Sequence, residues 1–394
     1  MCSAAAHDFL PLSVPVLDGR EAEYVTEAVT SGWVSTAGSY VGRFESAIQE
    51  FTGAAHVVAC VNGTSALHIA LLLAGVMPGD EVITPSLTFI GTVNPVAYCG
   101  AVPVFLDCDA HMNLDPEAVA GFLTTRCKRT SRGVIDTLTG RHVSAILPVH
   151  VFGNPCELAS IMRTAEEWGL PVVEDAAEAL GSTWTAGPLA GRHAGTVGLL
   201  GAYSFNGNKI VTCGGGGAIV TNDAELAARA RHLTTTAKTD AVHFIHDEVG
   251  YNYRLTNIAA ALGVAQMESL PRFIERKTAN FATYRDALAG IAGITFADVP
   301  DGVAPNYWFY SILIDEAAYG RDRESLMAAL DAEGIQTRPI WQLNNEQAPY
   351  ADAPTFQIER AVWFWERVLN LPCSSDLSED DVLRVADAIR RLGR

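Results

Sequence analysis

Basic residues are scarce in this chain. Its 394 residues contain 27 Lys and Arg against 45 Asp and Glu, which gives a formal net charge of −18 at pH 7. A chain this acidic, without a basic cluster, is a poor partner for the phosphate backbone of DNA or RNA, so we predict no nucleic-acid binding. A small phosphorylated ligand is not excluded, because a local pocket can be positive inside an acidic protein.

Long hydrophobic runs are also missing. The longest apolar-rich stretch, residues 66–77, is too short to span a bilayer, and residues 1–15 have neither a basic segment nor a long apolar core. We therefore expect no membrane span and no secretory signal. The cysteines are scattered, with no Cys-x-x-Cys pair and no His/Cys cluster at metal spacing, so we predict reduced thiols in the cytoplasm and no metal site.

Two common glycine-rich nucleotide motifs do not occur. The P-loop motif Gly-x-x-x-x-Gly-Lys-Ser/Thr and the dinucleotide-binding motif Gly-x-Gly-x-x-Gly are both absent, which disfavours enzymes of either class. The four consecutive glycines 214–217 follow Lys209 instead of preceding it, and apolar residues come after them. Phosphate binding by a P-loop therefore does not account for the role of Lys209.

Short apolar runs alternate with amphipathic helical runs over the first two thirds of the chain. Residues 101–107, 144–153 and 170–177 are mostly apolar, which is typical of buried parallel strands. Helical runs lie between them. This alternation predicts an α/β fold, in which crossover helices cover a sheet.

A long helical stretch follows at residues 253–289, with a break predicted near Pro271. We expect it to join a large domain of residues 1–270 to a smaller C-terminal α/β domain of residues 271–394.

Three local signals come at the ends of predicted strands, where α/β proteins bind ligands. Thr64 and Ser65 open an apolar helix, whose N-terminus either suits a phosphate or is simply capped. Glu174 and Asp175 end an apolar strand, and a carboxylate there can pair with a protonated ring nitrogen, hold a metal or cap the next helix. Lys209 follows a third strand, where it either forms a Schiff base with an aldehyde or lies on the surface in a polar turn.

Pyridoxal phosphate accounts for all three signals at once. This cofactor needs a lysine for its aldehyde, an acid for its pyridine nitrogen and a helix N-terminus for its phosphate. An aromatic ring against its face adds to the site, and Phe89 follows another predicted strand. We therefore predict that the chain binds pyridoxal phosphate.

In these motifs the chain resembles the DegT/DnrJ/EryC1/StrS family of sugar aminotransferases. The resemblance extends over nearly the whole length and includes "NGTSALHIAL", "VVEDAAEALGS", "SFNGNK" and "VGYNYRLTNIAAALGVAQ". It implies the fold-type I aminotransferase architecture, with a mixed, mostly parallel sheet of seven strands in the large domain. It also implies a homodimer whose active sites are shared between subunits.

The resemblance further implies roles for residues that bind the cofactor. Lys209 would hold the cofactor and later shuttle a proton, Asp175 would pair with the pyridine nitrogen, and Phe89 would stack on the ring. Glu178 would lie near the 3-hydroxyl group, where many family members have glutamine. The phosphate would be contacted by Thr64, Ser65, Ser204 and, from the other subunit, Asn252.

Substrate contacts are implied in the same way. Arg338 suits a diphosphate or the carboxylate of an amino donor through its planar guanidinium, with a surface salt bridge as the alternative. His150 is either a substrate contact or a polar core residue with its hydrogen bonds satisfied. Segments 31–36, 306–308 and 338–341 would line the nucleotide-sugar site. The implied substrate residues are Ser35, His150, Tyr307, Arg338 and Trp341.

The activity that the resemblance implies is transamination. L-Glutamate would give its amino group to C4 of a nucleotide-linked 4-keto-6-deoxy sugar. The subgroup motifs "SFNGNKI", "EVGYNYRLTN" and "GIQTRPIWQ" look most like the branch that acts on UDP-4-keto-6-deoxy-N-acetylhexosamines, which favours UDP-2-acetamido-2,6-dideoxy-hexos-4-ulose. A 3-keto sugar or a dTDP- or GDP-linked 4-keto sugar stays open as the alternative. Some relatives are dehydratases and have histidine at the lysine position, and Lys209 disfavours that reading.

Overall fold

The computed structural model describes residues 9–393 of the chain. Several of its helices begin where the sequence places a side chain that can accept a backbone N–H, among them Asn62, Asp115 and Asp223. The helices are α1 (Glu21–Thr30), α2 (Ser39–Thr52), α3 (Gly63–Leu73), α4 (Ile90–Tyr98), α5 (Pro116–Arg126), α6 (Leu158–Trp168), α7 (Ala224–Thr234), α8 (Asn257–Leu288), α9 (Glu316–Tyr319), α10 (Arg323–Ala332), α11 (Arg360–Arg367) and α12 (Glu379–Leu392).

The strands are short, and those of the central sheet are almost wholly buried. They are β1 (His56–Cys60), β2 (Glu81–Pro85), β3 (Val102–Leu106), β4 (Cys127–Thr130), β5 (Gly133–Asp136), β6 (His142–Ile146), β7 (Val173–Asp175), β8 (Thr183–Trp184), β9 (Leu200–Ser204), β10 (Gly217–Thr221), β11 (Lys238–Asp240), β12 (Ile245–His246), β13 (Ile294–Phe296), β14 (Val303–Ala304), β15 (Tyr310–Ile314), β16 (Arg338–Pro339), β17 (Thr355–Phe356) and β18 (Val368–Leu371).

The central sheet is mixed and mostly parallel. Strands β1, β10, β9 and β7 are hydrogen-bonded in that order, and β17, β3, β2, β6, β5 and β4 form a second series. Parallel bridges at Ile146–Val172 and Val149–Asp175 join β6 to β7. The order β1-β10-β9-β7-β6-β2-β3 therefore makes one seven-stranded sheet in which β10 runs against the other six. This confirms the predicted sheet of a fold-type I aminotransferase.

Helices cover both faces of this sheet. Successive strand residues point to opposite faces, so Val57 and Ala59 of β1 join one apolar cluster while Val58 and Cys60 join the other. The first cluster includes the buried faces of α1, α2, α5, α6 and α8, and the second includes those of α3, α4 and α7. The result is the three-layered α/β architecture that the sequence predicts.

Helix α8 continues without a break through Pro271, so the predicted interruption there is wrong. Proline removes one helical hydrogen bond and disfavours the preceding turn, but packing outweighs that cost here. Met267, Leu270 and Phe273 on the same helix are buried in the core against α1 and α2. The division of the chain at residues 270 and 271 remains a prediction, and it falls inside a continuous helix.

The C-terminal part has its own antiparallel sheet, in the order β13-β15-β18-β16. A separate apolar cluster joins this sheet to α10, α12 and the end of α8. Across residues 9–393, the helices fall short of the combined length and apolar character that a membrane crossing requires. Every cysteine in that same part of the chain is buried and unpaired, and Cys2 lies outside it.

Candidate active site

A cavity of about 750 Å³ opens at the carboxyl ends of the sheet strands. Residues that follow β1, β2, β7 and β9 form its floor, and residues from β16 and its neighbours close the other side. This is the edge at which α/β sheets bind ligands. The predicted site residues on its wall are Thr64, Phe89, Asp175, Glu178, Ser204, Lys209, Arg338 and Trp341.

Lys209 lies in the loop between β9 and β10, and its side chain is only 11% exposed. Its Nζ lies 3.2 Å from Oε1 of Glu178 and 3.7 Å from the centre of the Trp308 ring. Its backbone N–H donates to the carbonyl of Asn206 in a tight turn. The loop thus turns the lysine into the cavity, and the alternative of a surface lysine does not hold.

Glu178 is buried beside this lysine. Burial raises the pKa of its carboxyl group to about 7, while the ammonium of Lys209 and the N–H of Phe152 favour the charged form. Phe152 donates its N–H to Oε2 at 2.9 Å, so the carboxyl group is held from both sides. Glu178 can therefore accept from Lys209 while keeping a fixed orientation.

Asp175 ends β7 and faces the cavity. Thr92 donates its hydroxyl to Oδ2 at 2.6 Å, and the N–H of Ala177 donates to Oδ1 at 3.0 Å. Burial raises the pKa of Asp175, and the hydrogen bond from Thr92 partly offsets this. No ion pair of Asp175 occurs among the described residues, which leaves a buried carboxylate ready to take a cationic group.

Glu174 points to the opposite side of β7, because successive strand residues alternate. Burial opposes its charge, but the hydrogen bond and charge of His150 hold the pKa of Glu174 below its ordinary value. Its carboxylate lies 2.9 Å from Nε2 of His150 and accepts the backbone N–H groups of Gly195, Val197 and Gly198. Of the two acids considered from the sequence, Glu174 is therefore a structural anchor and Asp175 belongs to the cavity.

His150 does not reach the cavity. It is fully buried behind β7, and its Nδ1 accepts the N–H of Cys156 at 3.1 Å while Nε2 faces Glu174. Both ring nitrogens are thus occupied inside the protein. The structure favours a polar core residue with its hydrogen bonds satisfied over the predicted substrate contact.

The N-terminus of α3 opens into the cavity next to Ser204. Asn62 caps this helix by accepting the N–H of Ser65 at 2.7 Å. A Cβ atom on Gly63 would lie 2.9 Å from Cβ of Ser204, so this close approach requires glycine. Thr64 presents its side chain at the wall, whereas Ser65 is buried and does not line the cavity.

Aromatic side chains stand at the opening of the cavity. Phe89 precedes α4 as its N-cap residue, without a side-chain hydrogen bond, and is 52% exposed. Its ring centre lies 6.3 Å from that of Trp341, which in turn packs against Phe152 at 4.8 Å. Phe89 and Trp341 line the same cavity as Asp175 and Lys209, so a flat heteroaromatic ring bound there would meet aromatic side chains.

Arg338 is exposed at the same opening. Its Nη1 donates to the carbonyl of its neighbour Thr337 at 2.9 Å, and within residues 9–393 it forms no ion pair. The alternative of a surface salt bridge is therefore not observed, and the remaining donors of the guanidinium can bind an anion.

Three further predicted residues lie away from the cavity of their own chain. Ser35 is exposed in the loop between α1 and α2, and Asn252 is exposed beside Thr235. Tyr307 stacks on Phe281 at 4.4 Å in the C-terminal part. In a single chain, these residues are not brought to the site.

Trp308 and Thr92 contact the site in ways that the sequence did not reveal. The tripeptide 306–308 carried only a general expectation of substrate contact, and the position of Trp308 over Lys209 depends on pairing across the fold. Thr92 lies three residues after Phe89, one helical turn along α4, and this spacing is the signal that could have indicated a shared cavity.

One surface cluster offers ligands of the kind that metals use. The ligand atoms of His232, Asp247 and Glu248 lie within 4.8 Å of one another. Arg229 already binds the carboxylate of Glu248 through both of its terminal nitrogens. The cluster lies away from the cavity and contributes no residue to its wall.

Comparison with known proteins identifies the family to which the chain belongs. The sequence profile described as the DegT/DnrJ/EryC1/StrS aminotransferase family matches residues 15–390. The chain is 37% identical to the GDP-perosamine synthase of Caulobacter vibrioides over 382 residues, which are 96% of this chain and 97% of that protein. It is 32% identical to the GDP-perosamine synthase of Vibrio cholerae, over 97% of this chain and 98% of that one.

A solved structure of a sugar-nucleotide enzyme is also similar to nearly the whole chain. The crystal structure of DesI in the presence of its TDP-sugar product is similar with a TM-score of 0.86 and 34% identity, over 99% of this chain and 94% of that one. The chain belongs to the DegT/DnrJ/EryC1/StrS aminotransferase family and is a pyridoxal-phosphate-dependent enzyme acting on nucleotide sugars.

Proposed function

We propose that the enzyme transfers the amino group of L-glutamate to the C4 ketone of a nucleotide-linked 4-keto-6-deoxy sugar. The observation that carries this proposal is the position of Lys209, whose Nζ lies in a cavity shared with Asp175 and Glu178. A lysine at this point supports transamination over the dehydration catalysed by relatives that have histidine there.

The residues around the cavity fit pyridoxal phosphate. Asp175 is buried and has hydroxyl and N–H donors but no cationic partner among the described residues, which suits a protonated pyridine nitrogen. The N-terminus of α3 with Thr64 and Ser204 offers N–H and hydroxyl donors to a phosphate. Lys209 offers the amine for the aldehyde, and Phe89 offers a ring face.

Residues of the chain itself would then position the cofactor and transfer the proton. When bound, pyridoxal phosphate supplies the electron sink that lets an amino group be exchanged between two carbon skeletons. Asp175 would hold the proton on the ring nitrogen, and Phe89 would pack against one face of the ring. Lys209 Nζ would accept and return the proton at the substrate carbon, and Glu178, 3.2 Å away, would keep that amine within reach.

The names of relatives bear on which nucleotide the acceptor sugar carries. Two relatives are named for a GDP-linked product, and DesI was crystallised with a TDP-sugar product. These names support a nucleotide-linked amino sugar as the product. GDP-linked acceptors are therefore the first that should be tested. They lend no support to the UDP-linked N-acetyl sugar that the subgroup motifs predict.

We also propose a homodimer with shared active sites. Asn252 is exposed and points to no group in its own cavity, as expected if it contacts the phosphate bound by the other subunit. Apolar side chains nearby in the chain are strongly exposed, which is unusual for a face in contact with water. They are Val242, Phe244, Ile245 and Val249.

A panel of acceptors tests the proposed reaction. The purified enzyme with L-glutamate is given GDP-, dTDP- and UDP-linked 4-keto-6-deoxy sugars, a UDP-linked N-acetyl form and a 3-keto sugar, and products are identified by mass spectrometry. A 4-amino sugar nucleotide formed by the wild type but not by Lys209→Ala supports the proposal. Amination of the 3-keto sugar alone, or loss of a hydroxyl group without amine transfer, contradicts it.

A further inference from the structure

Trp308 makes two contacts with the segment that carries the reactive lysine. The face of its indole ring lies 3.7 Å from Lys209 Nζ, and its Nε1–H donates to the carbonyl of Asn208 at 2.7 Å. We propose that Trp308 is the positioning residue for Lys209, holding the ammonium with its ring and the backbone with its N–H. This inference rests on the proposed role of Lys209 in binding the cofactor.

The two contacts act on different parts of the lysine. An aromatic face attracts an ammonium group without a fixed direction, so it restrains Nζ while leaving it free to turn. The hydrogen bond to Asn208 is directional and holds the peptide group directly before Lys209. Together they limit the volume that the amine explores and keep it at the side of the cavity where Asp175 and Glu178 lie.

Trp308 is itself firmly held. Its own N–H donates to Oδ1 of Asn306 at 2.9 Å, and Asn306 in turn donates to the carbonyls of Glu178 and Leu180. Lys277, which is fully buried, donates to the carbonyl of Trp308 at 3.3 Å. These bonds fix the backbone of Trp308, and its ring packs against those of Phe152 at 6.1 Å and Phe309 at 4.0 Å, so the indole is positioned independently of the lysine that it contacts.

The backbone next to Trp308 supports the same reading. Tyr307 has a φ of 51°, in the left-handed region that side chains other than glycine rarely adopt. Such a conformation is kept only where neighbouring contacts determine it, and it is often found at functional sites. Here it turns the chain between Asn306 and Trp308 so that the indole reaches across to the loop of Lys209.

Glu178 alone would hold the lysine less well. Its carboxyl group has a pKa of about 7, raised by burial, so near neutral pH it is only partly charged. The ring of Trp308 does not titrate, so it attracts the ammonium of Lys209 whether Glu178 is charged or neutral. The tryptophan thus provides a restraint that the carboxylate cannot provide by itself.

Two substitutions separate the two contacts, and a third is the control. Trp308→Phe keeps a ring and loses the N–H donor, while Trp308→Leu loses both. Trp184→Phe is the matched control, because Trp184 is also buried and also donates its indole N–H to a backbone carbonyl, that of Cys156, away from Lys209. Urea unfolding of each cofactor-free variant reports its stability.

The measurement is the trapping of pyridoxal phosphate by borohydride, with peptide mapping of the modified lysines. The yield at Lys209 is divided by the yield at Lys128, an exposed lysine on β4 that serves as an internal reference. We expect this ratio to fall roughly two- to tenfold in Trp308→Phe and roughly ten- to a hundredfold in Trp308→Leu. In Trp184→Phe the ratio should stay at the wild-type value even if the chain becomes less stable.

A wild-type ratio in Trp308→Leu would overturn the inference, as would an equal fall in Trp184→Phe and Trp308→Phe. Trapping needs neither sugar nucleotide nor glutamate, so these outcomes are independent of the substrate. Failure of the wild-type enzyme to form any adduct at Lys209 would instead overturn the proposed role of Lys209.

Discussion

Glu81 begins β2 in the middle of the sheet, and its side chain is fully buried. Neither carboxyl oxygen accepts a hydrogen bond of normal geometry, the nearby Thr139 lowers the pKa only in part, and Nη1 of Arg141 lies 3.9 Å from Oε1. Burial raises the pKa of Glu81 from 4.5 to about 7. A carboxylate in this position is therefore poorly compensated, and the folded state retains its proton longer than the unfolded state does.

The size and sign of the effect on stability follow from these values. Between pH 4.5 and about 7 the folded state holds a proton that the unfolded chain has released, so raising the pH favours unfolding. The protonated group contributes its full stability below pH 4.5 and loses it as the pH rises to about 7. The difference 7 − 4.5 is 2.5 pKa units, which corresponds to at most roughly 3 kcal/mol of unfolding free energy, since screening by solvent lowers this value.

Glu81→Gln removes this dependence, because glutamine has the same shape and does not titrate. We expect the variant to gain stability over the wild type by roughly 1–2.5 kcal/mol more at pH 8 than at pH 5. The free energy of unfolding is measured by urea titration of the cofactor-free enzyme at both pH values. Glu275→Gln, an exposed position on α8, controls for the loss of one carboxylate. A constant difference between Glu81→Gln and the wild type at both pH values would refute the reasoning.

Other predictions concern the reaction. Lys209→Ala should abolish turnover and the borohydride-fixed adduct, and an adduct mapped to another lysine would show that the assignment is wrong. Asp175→Asn should lower turnover by at least about a hundredfold, because it removes the charge that holds the ring proton; near-normal turnover would exclude Asp175 from the mechanism. Asn252→Asp should weaken cofactor binding by placing a carboxylate against the phosphate. Mixing Asn252→Asp chains with Lys209→Ala chains should restore roughly a quarter of wild-type activity, since half of the dimers are mixed and each has one intact site; no recovery after subunit exchange would place Asn252 in the site of its own chain.

The segments that form the site could be identified from the sequence, because each of them follows the end of a predicted strand. The helix at Thr64, the acid at Asp175 and the loop of Lys209 each come directly after a buried strand, and parallel strands bring those ends to one edge. The local sequence pattern left the choice between Glu174 and Asp175 open, and only the family resemblance favoured Asp175. The choice depends on which face of β7 meets the cavity, and that is set by pairing with β6 and β9.

Contacts between distant segments were beyond sequence reasoning. Trp308 lies 100 residues from Asn208, and nothing local to either residue indicates that their side chain and backbone meet. Pro271 was predicted to interrupt a helix because local propensity disfavours it there, and packing against α1 and α2 outweighed that propensity. In both cases the deciding free energy comes from tertiary contacts.

The two neighbouring acids of β7 are mechanically coupled. Glu174 is held by His150 and by the N–H groups of Gly195, Val197 and Gly198, so the strand cannot slip along β6 or β9 without breaking those bonds together. A slip of one residue would exchange the two faces and point Glu174 into the cavity in place of Asp175. Glu174, which does not face the cavity, thus fixes the strand register that points Asp175 toward the cofactor. Substitution of Glu174 should therefore appear first as a loss of cofactor binding.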